Sequence, residues 1–261
     1  KLLEYSNKSV CGVTDRGYLK YLREIRENAA EKILVRMVQV ESDVAVPVET
    51  ASFKEEYSAK TLRGKLHKVL EFYINRDFEY IHYEMNYLGK IKTDFDLKKM
   101  YEILGKLNID RSVKKSEYFY GGENTAKKTL ETFIAEKLEG YSKYRNNPEL
   151  DYQSDLSPYL HFGNISPLFI AKEILKSQKN KESTDDFLEE LIVRRELAII
   201  FVYYNPDYDK FQNMTYSWAY ETMDKHKNDQ KDYIYSPKKK KKAETHDEYW
   251  NSAQKEMMVT G

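Results

Sequence analysis

Cysteine is all but missing from this sequence. Cys11 stands alone in 261 residues, so no internal disulfide can form, which fits a reducing compartment. An excess of either charge is missing too. Lys plus Arg number 43 and Asp plus Glu number 43, so only the distribution of charge can point to a partner. No apolar run approaches the roughly 20 residues of a membrane-spanning helix. No signal peptide, no initiator Met and no glycine-rich phosphate loop after Thr14 are found. The chain ends abruptly on Thr260-Gly261, and a chain trimmed at both ends is expected.

What is present is a globular composition, 41% hydrophobic and 33% charged. Twenty-three tyrosines and 14% aromatics are high for so polar a chain. They build either a tyrosine-rich helical core or a stacking site for a ring-bearing cofactor or bases.

Residues 9–14 (SVCGVT) read as a strand, Asp15-Arg16-Gly17 as a turn, and 18–32 as a helix with its stripe at Leu19, Leu22 and Ile25. Residues 33–40 (ILVRMVQV) return to strand character. Strand, helix, strand with short joints predicts a parallel βαβ unit, and one unit alone is too little to cover a sheet. An extended connector runs from Glu41 to Ser52. Residues 54–76 are helical and basic, and a linker with one helix near 95–105 follows. Thr125 is the expected cap of a helix over 125–140 with a stripe at Leu130, Phe133, Ile134 and Leu138, closed by Gly140. Beyond Tyr152 only helical patterns occur.

The most informative stretch is Ser154–Pro206. Ser157-Pro158 and Ser166-Pro167 each read as a cap followed by proline at the first helical position, with Gly163 closing the first helix. Two helix N-termini so close together present free N–H groups for an anion, with the Ser154 and Ser157 hydroxyls beside them. The plainer reading is helix capping. A helix over 185–204, capped by Thr184, is apolar almost all round and therefore largely buried. Glu190, Arg194, Arg195 and Glu196 sit inside it. Glu190 and Arg194, four apart, are expected to pair. A structural ion pair and a pocket both explain charge in such a helix.

LSPYLHFGNISP, EELIVRRELA and THDEYWNSAQKEM together resemble the FAD-binding domain of the photolyase and cryptochrome family. VTDRGYL, ASFKEEYSAKTLR, LNIDRSV and NNPELDYQSDLSPYLHFG are similar, in the same order, to class II cyclobutane pyrimidine dimer photolyases. The resemblance implies a partial α/β antenna domain over 1–50, an interdomain linker over 51–116, and an all-α FAD-binding domain over 117–261, incomplete at its C-terminus. It assigns FAD binding to Tyr141, Arg145, Ser154, Leu156 and Ser157. It makes Glu190 the acid at the lesion pocket, a protonated or hydrogen-bonded carboxyl that stabilises the radical anion of a flipped dimer. Arg194 is expected to hold that acid or to reach DNA phosphate. Trp250 matches a tryptophan of the electron relay, on a helix begun by a capping box from Thr245 to Glu248. The implied reaction is electron transfer from excited, reduced flavin to the dimer, ring opening, and return of the electron. UV-damaged DNA is the implied partner of a monomer in the cytoplasm (nucleoid-associated) or nucleus, with an antenna chromophore of deazaflavin or folate type left open. A cryptochrome-like photoreceptor without repair is the alternative, and a helical module without flavin a third reading. The run Lys238–Lys242 is expected as a solvated loop rather than a DNA clamp.

Overall fold

Alternation of β-branched and helical patterns in the first 40 residues builds the expected βαβ unit. The computed structural model describes residues 2–76, 96–112 and 115–260. After α1 (Leu2–Ser6), β1 (Cys11–Asp15) pairs in parallel with β2 (Arg36–Val40), from Cys11 opposite Arg36 to Asp15 opposite Val40. The crossover is α2 (Lys20–Ala30). Val13 is 68% exposed and α2 buries no residue, so this unit adds little to the core.

The core is helical. The connector is not wholly extended: residues 48–51 coil into α3 (Val48–Ala51), and Val44, Ala45, Val46, Val48 and Ala51 are buried. The Pro47 carbonyl accepts the Thr50 and Ala51 N–H groups, which starts the turn. The basic segment becomes α4 (Ala59–Ile74), whose Leu62 and Leu66 are fully buried. Lys60, Lys65 and Lys68 are exposed, whereas Arg63 is half-buried. Residues 77–95 of the expected linker lie outside the described residues. Then follow α5 (Met100–Lys106), α6 (Glu123–Thr132), α7 (Tyr141–Tyr144), α8 (Ser157–His161), α9 (Pro167–Lys176), α10 (Lys181–Leu188) and α11 (Arg195–Tyr204). Last come α12 (Ser217–Lys225), α13 (Pro237–Lys241) and α14 (Glu248–Thr260). Leu130, Phe133, Ile170, Ile174, Ile192 and Ile200 fill the interior between α4, α6, α9 and α11.

Two compact units result. One joins the described residues up to 76 with 121–233; the other joins the described part of 96–120 with 234–260. In the second unit, the Arg111 guanidinium donates to the Leu104, Gly105 and Leu107 carbonyls and so caps the end of α5. The lysine run is not a loop. Pro237–Lys241 is helical, with the Ser236 hydroxyl accepting the Lys239 N–H, and its lysines are exposed.

Several expected caps are displaced, because the helices start at other residues. Thr125 lies inside α6, which Gly122 enters at φ 111°. Thr184 lies inside α10, whose cap is Asn180, its side chain accepting the Ser183 N–H. The Thr245 hydroxyl accepts the Asp247 N–H, and Asp247 in turn accepts the Trp250 N–H at the start of α14. Ser157 is the first residue of α8, with Leu156 at the cap position. Ser166 does precede α9, without a side-chain hydrogen bond.

Candidate functional site

The helix expected over 185–204 is less buried than its composition implies, since in α11 only Glu196 and Ile200 are buried and Ala198 is exposed, and its charges find partners through a change of helical register. Between α10 and α11, residues Glu189–Arg194 form a π turn, in which N–H groups bond five residues back instead of four. The side chain stacked over Glu190 is then near i+5, so Arg195 rather than Arg194 shares its face. The expected Glu190–Arg194 pair does not form. Arg194 is half exposed and lies 3.7 Å from Glu189 instead.

The charges of this turn and of the start of α11 are tied to α4, to Arg145 at the end of α7, and to the connector. Glu189 accepts two hydrogen bonds, 2.9 and 2.7 Å, from the Arg63 guanidinium of α4, which holds its carboxyl below the usual range. Glu190 accepts from Arg145 Nη1 at 2.9 Å, and this bond raises Arg145. Arg195 Nη2 donates to Asp43 of the connector at 2.5 Å. Glu196 is buried, and its Oε1 accepts the Ala45 and Val46 N–H groups at 2.6 and 3.1 Å. Burial lifts its carboxyl to about 7 against the pull of those N–H groups and of Arg195.

A cleft of about 410 Å³ opens beside this turn, and Glu190, Leu191 and Arg195 line it. Tyr141, Arg145, Ser154, Leu156 and Ser157 line it as well, with Arg145 bonded directly to Glu190. The first two follow a second π turn, Phe133–Lys137. The Tyr141 ring packs edge-on against Phe133 and Phe187, at centroid distances of 5.7 and 5.4 Å. Burial raises its phenol, and Arg145, 5.4 Å from the ring, opposes the rise. Ser142 donates to Asp186 and Arg145 lies 3.7 Å from the same carboxylate, so α7 is fastened across to α10. Lys137 bonds Asp151, Asp155 and the Gln153 carbonyl, which seats the segment carrying Ser154. Arg145 Nε and Arg195 Nη1 are buried with no hydrogen-bond partner among the described residues. Buried donors of this kind call for an acceptor.

The two Ser-Pro helix starts do not converge. Ser157 lines this cleft, whereas Ser166 and Pro167 line a separate cleft of about 810 Å³ with Asp15, Arg16 and Arg26. The expected convergence of two helix starts is therefore not found, and the cleft brings together instead the Ser154 and Ser157 hydroxyls and the Arg145 and Arg195 guanidinium groups. Its donor set suits the diphosphate of a dinucleotide, and the Tyr141 ring offers an apolar face beside it.

No family model matches the sequence. Proteins named deoxyribodipyrimidine photo-lyase do match: that of Methanothermobacter thermautotrophicus is 40% identical over 265 residues, across 100% of this chain and 56% of its own length. The chain is a photolyase homologue. The Potorous tridactylus protein of the same name is 35% identical, over 87% of this chain and 42% of its own length, and that of Oryza sativa subsp. japonica 36%, over 87% and 45%. The chain thus spans about half the length of the curated relatives it matches. Among solved structures, a class III photolyase from Agrobacterium tumefaciens superposes with a TM-score of 0.61 at 14% identity, over 99% of this chain and 52% of its own. A Synechocystis cryptochrome superposes with a TM-score of 0.64 at 16% identity, over 95% and 51%. These two likenesses concern the fold.

In this photolyase homologue the cleft gathers Tyr141, Arg145, Ser154, Leu156, Ser157 and Glu190. Arg194 lies outside the cleft lining. Trp250 is on α14 in the other unit and half exposed. Sequence reasoning passed over Arg195, since a spacing of four selects Arg194 and nothing local announces a π turn. The only signal was the Arg-Arg doublet itself.

Proposed function

We propose that this chain belongs to a class II enzyme that repairs cyclobutane pyrimidine dimers in UV-damaged DNA under light, with FAD as cofactor. The observation that carries the reading is the cleft, which is lined by both a diphosphate donor set and the Glu190 carboxyl. Bound there, FAD supplies the light-driven electron. The residues do the rest. The Ser154 and Ser157 hydroxyls and Arg145 orient the diphosphate. The rings of Tyr141, Phe133 and Phe187 keep water from one side. Glu190, held by Arg145, presents a polar group to a base flipped out of the duplex, and the cost of flipping is least at a damaged, poorly stacked pair.

Arg194, exposed on the outer side of the turn, is suited to a DNA phosphate, where it contributes charge rather than sequence selection. Trp250 is assigned to electron relay on resemblance alone, as are the antenna chromophore and the division at 50 and 116. A monomer in the cytoplasm or nucleus fits the family reading. Among the described residues no helix is long and apolar enough to cross a membrane.

The test is light-dependent loss of dimers from UV-irradiated oligonucleotides by the full-length protein, beside its flavin absorption spectrum. Dimer loss in light but not in darkness is expected, and Glu190→Ala should lower the yield several-fold with flavin retained. Flavin photochemistry without any dimer loss would favour a photoreceptor.

A further inference from the structure

We infer that Arg195, set by Asp43, is a second guanidinium that binds the diphosphate of the cofactor, and that the π turn is the device that delivers it. The inference rests on the FAD reading above and names a binding residue which that reading does not require. Three observations carry it. Arg195 lines the cleft together with Arg145, Ser154 and Ser157, although it follows the helix position that an ordinary turn would have placed there. Its Nη1 is buried without a partner among the described residues, as is Nε of Arg145. Its Nη2 is held at 2.5 Å by Asp43, a residue of the connector some 150 positions away in sequence.

The two arginines are built alike. Each gives part of its guanidinium to a carboxylate, Glu190 for Arg145 and Asp43 for Arg195, and each retains a buried donor that these carboxylates do not satisfy. A planar guanidinium with one edge fixed is preorganised, so little freedom remains to be lost when its other donors meet phosphate oxygens. The carboxylates also offset the two positive charges locally. The cleft therefore offers directed donors rather than a strong positive field, which suits a dinucleotide and disfavours adventitious inorganic anions. Asp43 acts as a positioning residue. Through it the seating of the connector, which Glu196 fixes by binding the Ala45 and Val46 N–H groups, bears on cofactor affinity.

The experiment is titration of the full-length apoprotein with FAD and with ADP, read by flavin fluorescence quenching and by calorimetry. Wild type, Arg195→Gln, Arg194→Gln, Asp43→Asn and Asp43→Glu are compared, with circular dichroism melting to check folding. Arg195→Gln is expected to weaken both ligands tenfold or more, and at least fivefold more than Arg194→Gln does. Asp43→Asn should weaken them less, and Asp43→Glu should restore part of that loss. If Arg195→Gln does not fold, Arg195→Lys serves, since it keeps the charge but loses the forked geometry, and a threefold or larger weakening is expected. Wild-type affinity in the folded Arg195 variant, or an equal loss in Arg194→Gln, overturns the inference. A wild-type protein that binds neither FAD nor ADP overturns the cofactor reading and this inference with it.

Discussion

Glu196 shows at the scale of one residue how this chain tolerates charge in an apolar helix. Its carboxyl is buried, and its second oxygen has no partner among the described residues. Burial therefore favours the protonated form and lifts the group from 4.5 to about 7. The folded state then binds more protons than the unfolded chain between those two values. Stability from this group is fullest below about 4.5 and declines as pH rises to about 7, with a slope of at most ~1.4 kcal/mol per pH unit. Glu196→Gln should flatten that part of the profile, as urea denaturation at a series of pH values would show. An unchanged slope would mean the carboxyl titrates normally. Glu49 and Glu56 act in the opposite sense and in a lower window. Hydrogen bonds from Arg16 and Tyr203 hold Glu49 at about 2. For Glu56, burial pushes upward, and bonds from Lys65, Thr61 and Ser52 overcome it to leave the group at about 2. Their contribution is present above about 4.5 and is lost as pH falls towards 2.

At the scale of elements, one π turn, Glu189–Arg194, lines the cleft, and another, Phe133–Lys137, precedes its residues Tyr141 and Arg145 in the chain. Each inserts the equivalent of one residue into its helix and rotates everything downstream. Phe133 lies at the start of the first and packs against Phe187 at 4.7 Å between ring centroids. Phe133→Ala is expected to cost about 3–5 kcal/mol of stability and to loosen Tyr141, measurable as a lowered denaturation midpoint together with weaker flavin binding. Gly140 occupies the joint before α7 for a steric reason. An added Cβ would lie 2.6 Å from the Tyr152 ring and 2.9 Å from that of Tyr144. Gly140→Ala should therefore destabilise by about 1–3 kcal/mol, because two packed rings must move. Ordinary stability of that variant in urea would show that the rings shift at no cost.

At the scale of the whole molecule, the connector between the parallel strands and the helical core is part of the core, not a tether. Val44, Ala45, Val46 and Val48 are buried, and Asp43, Ala45 and Val46 meet Arg195 and Glu196. A ligand that binds only the folded cleft must stabilise all of this together. FAD at a hundred times its dissociation constant should add about 2.7 kcal/mol, seen as a rise in melting temperature that scales with flavin concentration. No rise in the presence of bound flavin would place the cleft outside the cooperative unit. Much of this architecture was legible in the order of residues. Strand, helix and strand over the first 40 residues, the apolar helix near 185–204, and the Ser154–Ser157 and Glu190 members of the cleft follow from local pattern and resemblance, since periodicity and chain order are properties of neighbours. The caps Asn180 and Asp247, the π turns, and the choice of Arg195 over Arg194 do not. The two caps are local bonds, to the Ser183 and Trp250 N–H groups, that a competing threonine nearby conceals, whereas the Glu189–Arg194 turn goes with bonds from far along the chain, Arg63 for Glu189, Asp43 for Arg195, Ala45 and Val46 for Glu196. The sequence by itself determined which charges the buried helix would carry. Only the tertiary structure decided which way each faces, because helical register there is set by distant partners rather than by adjacent residues.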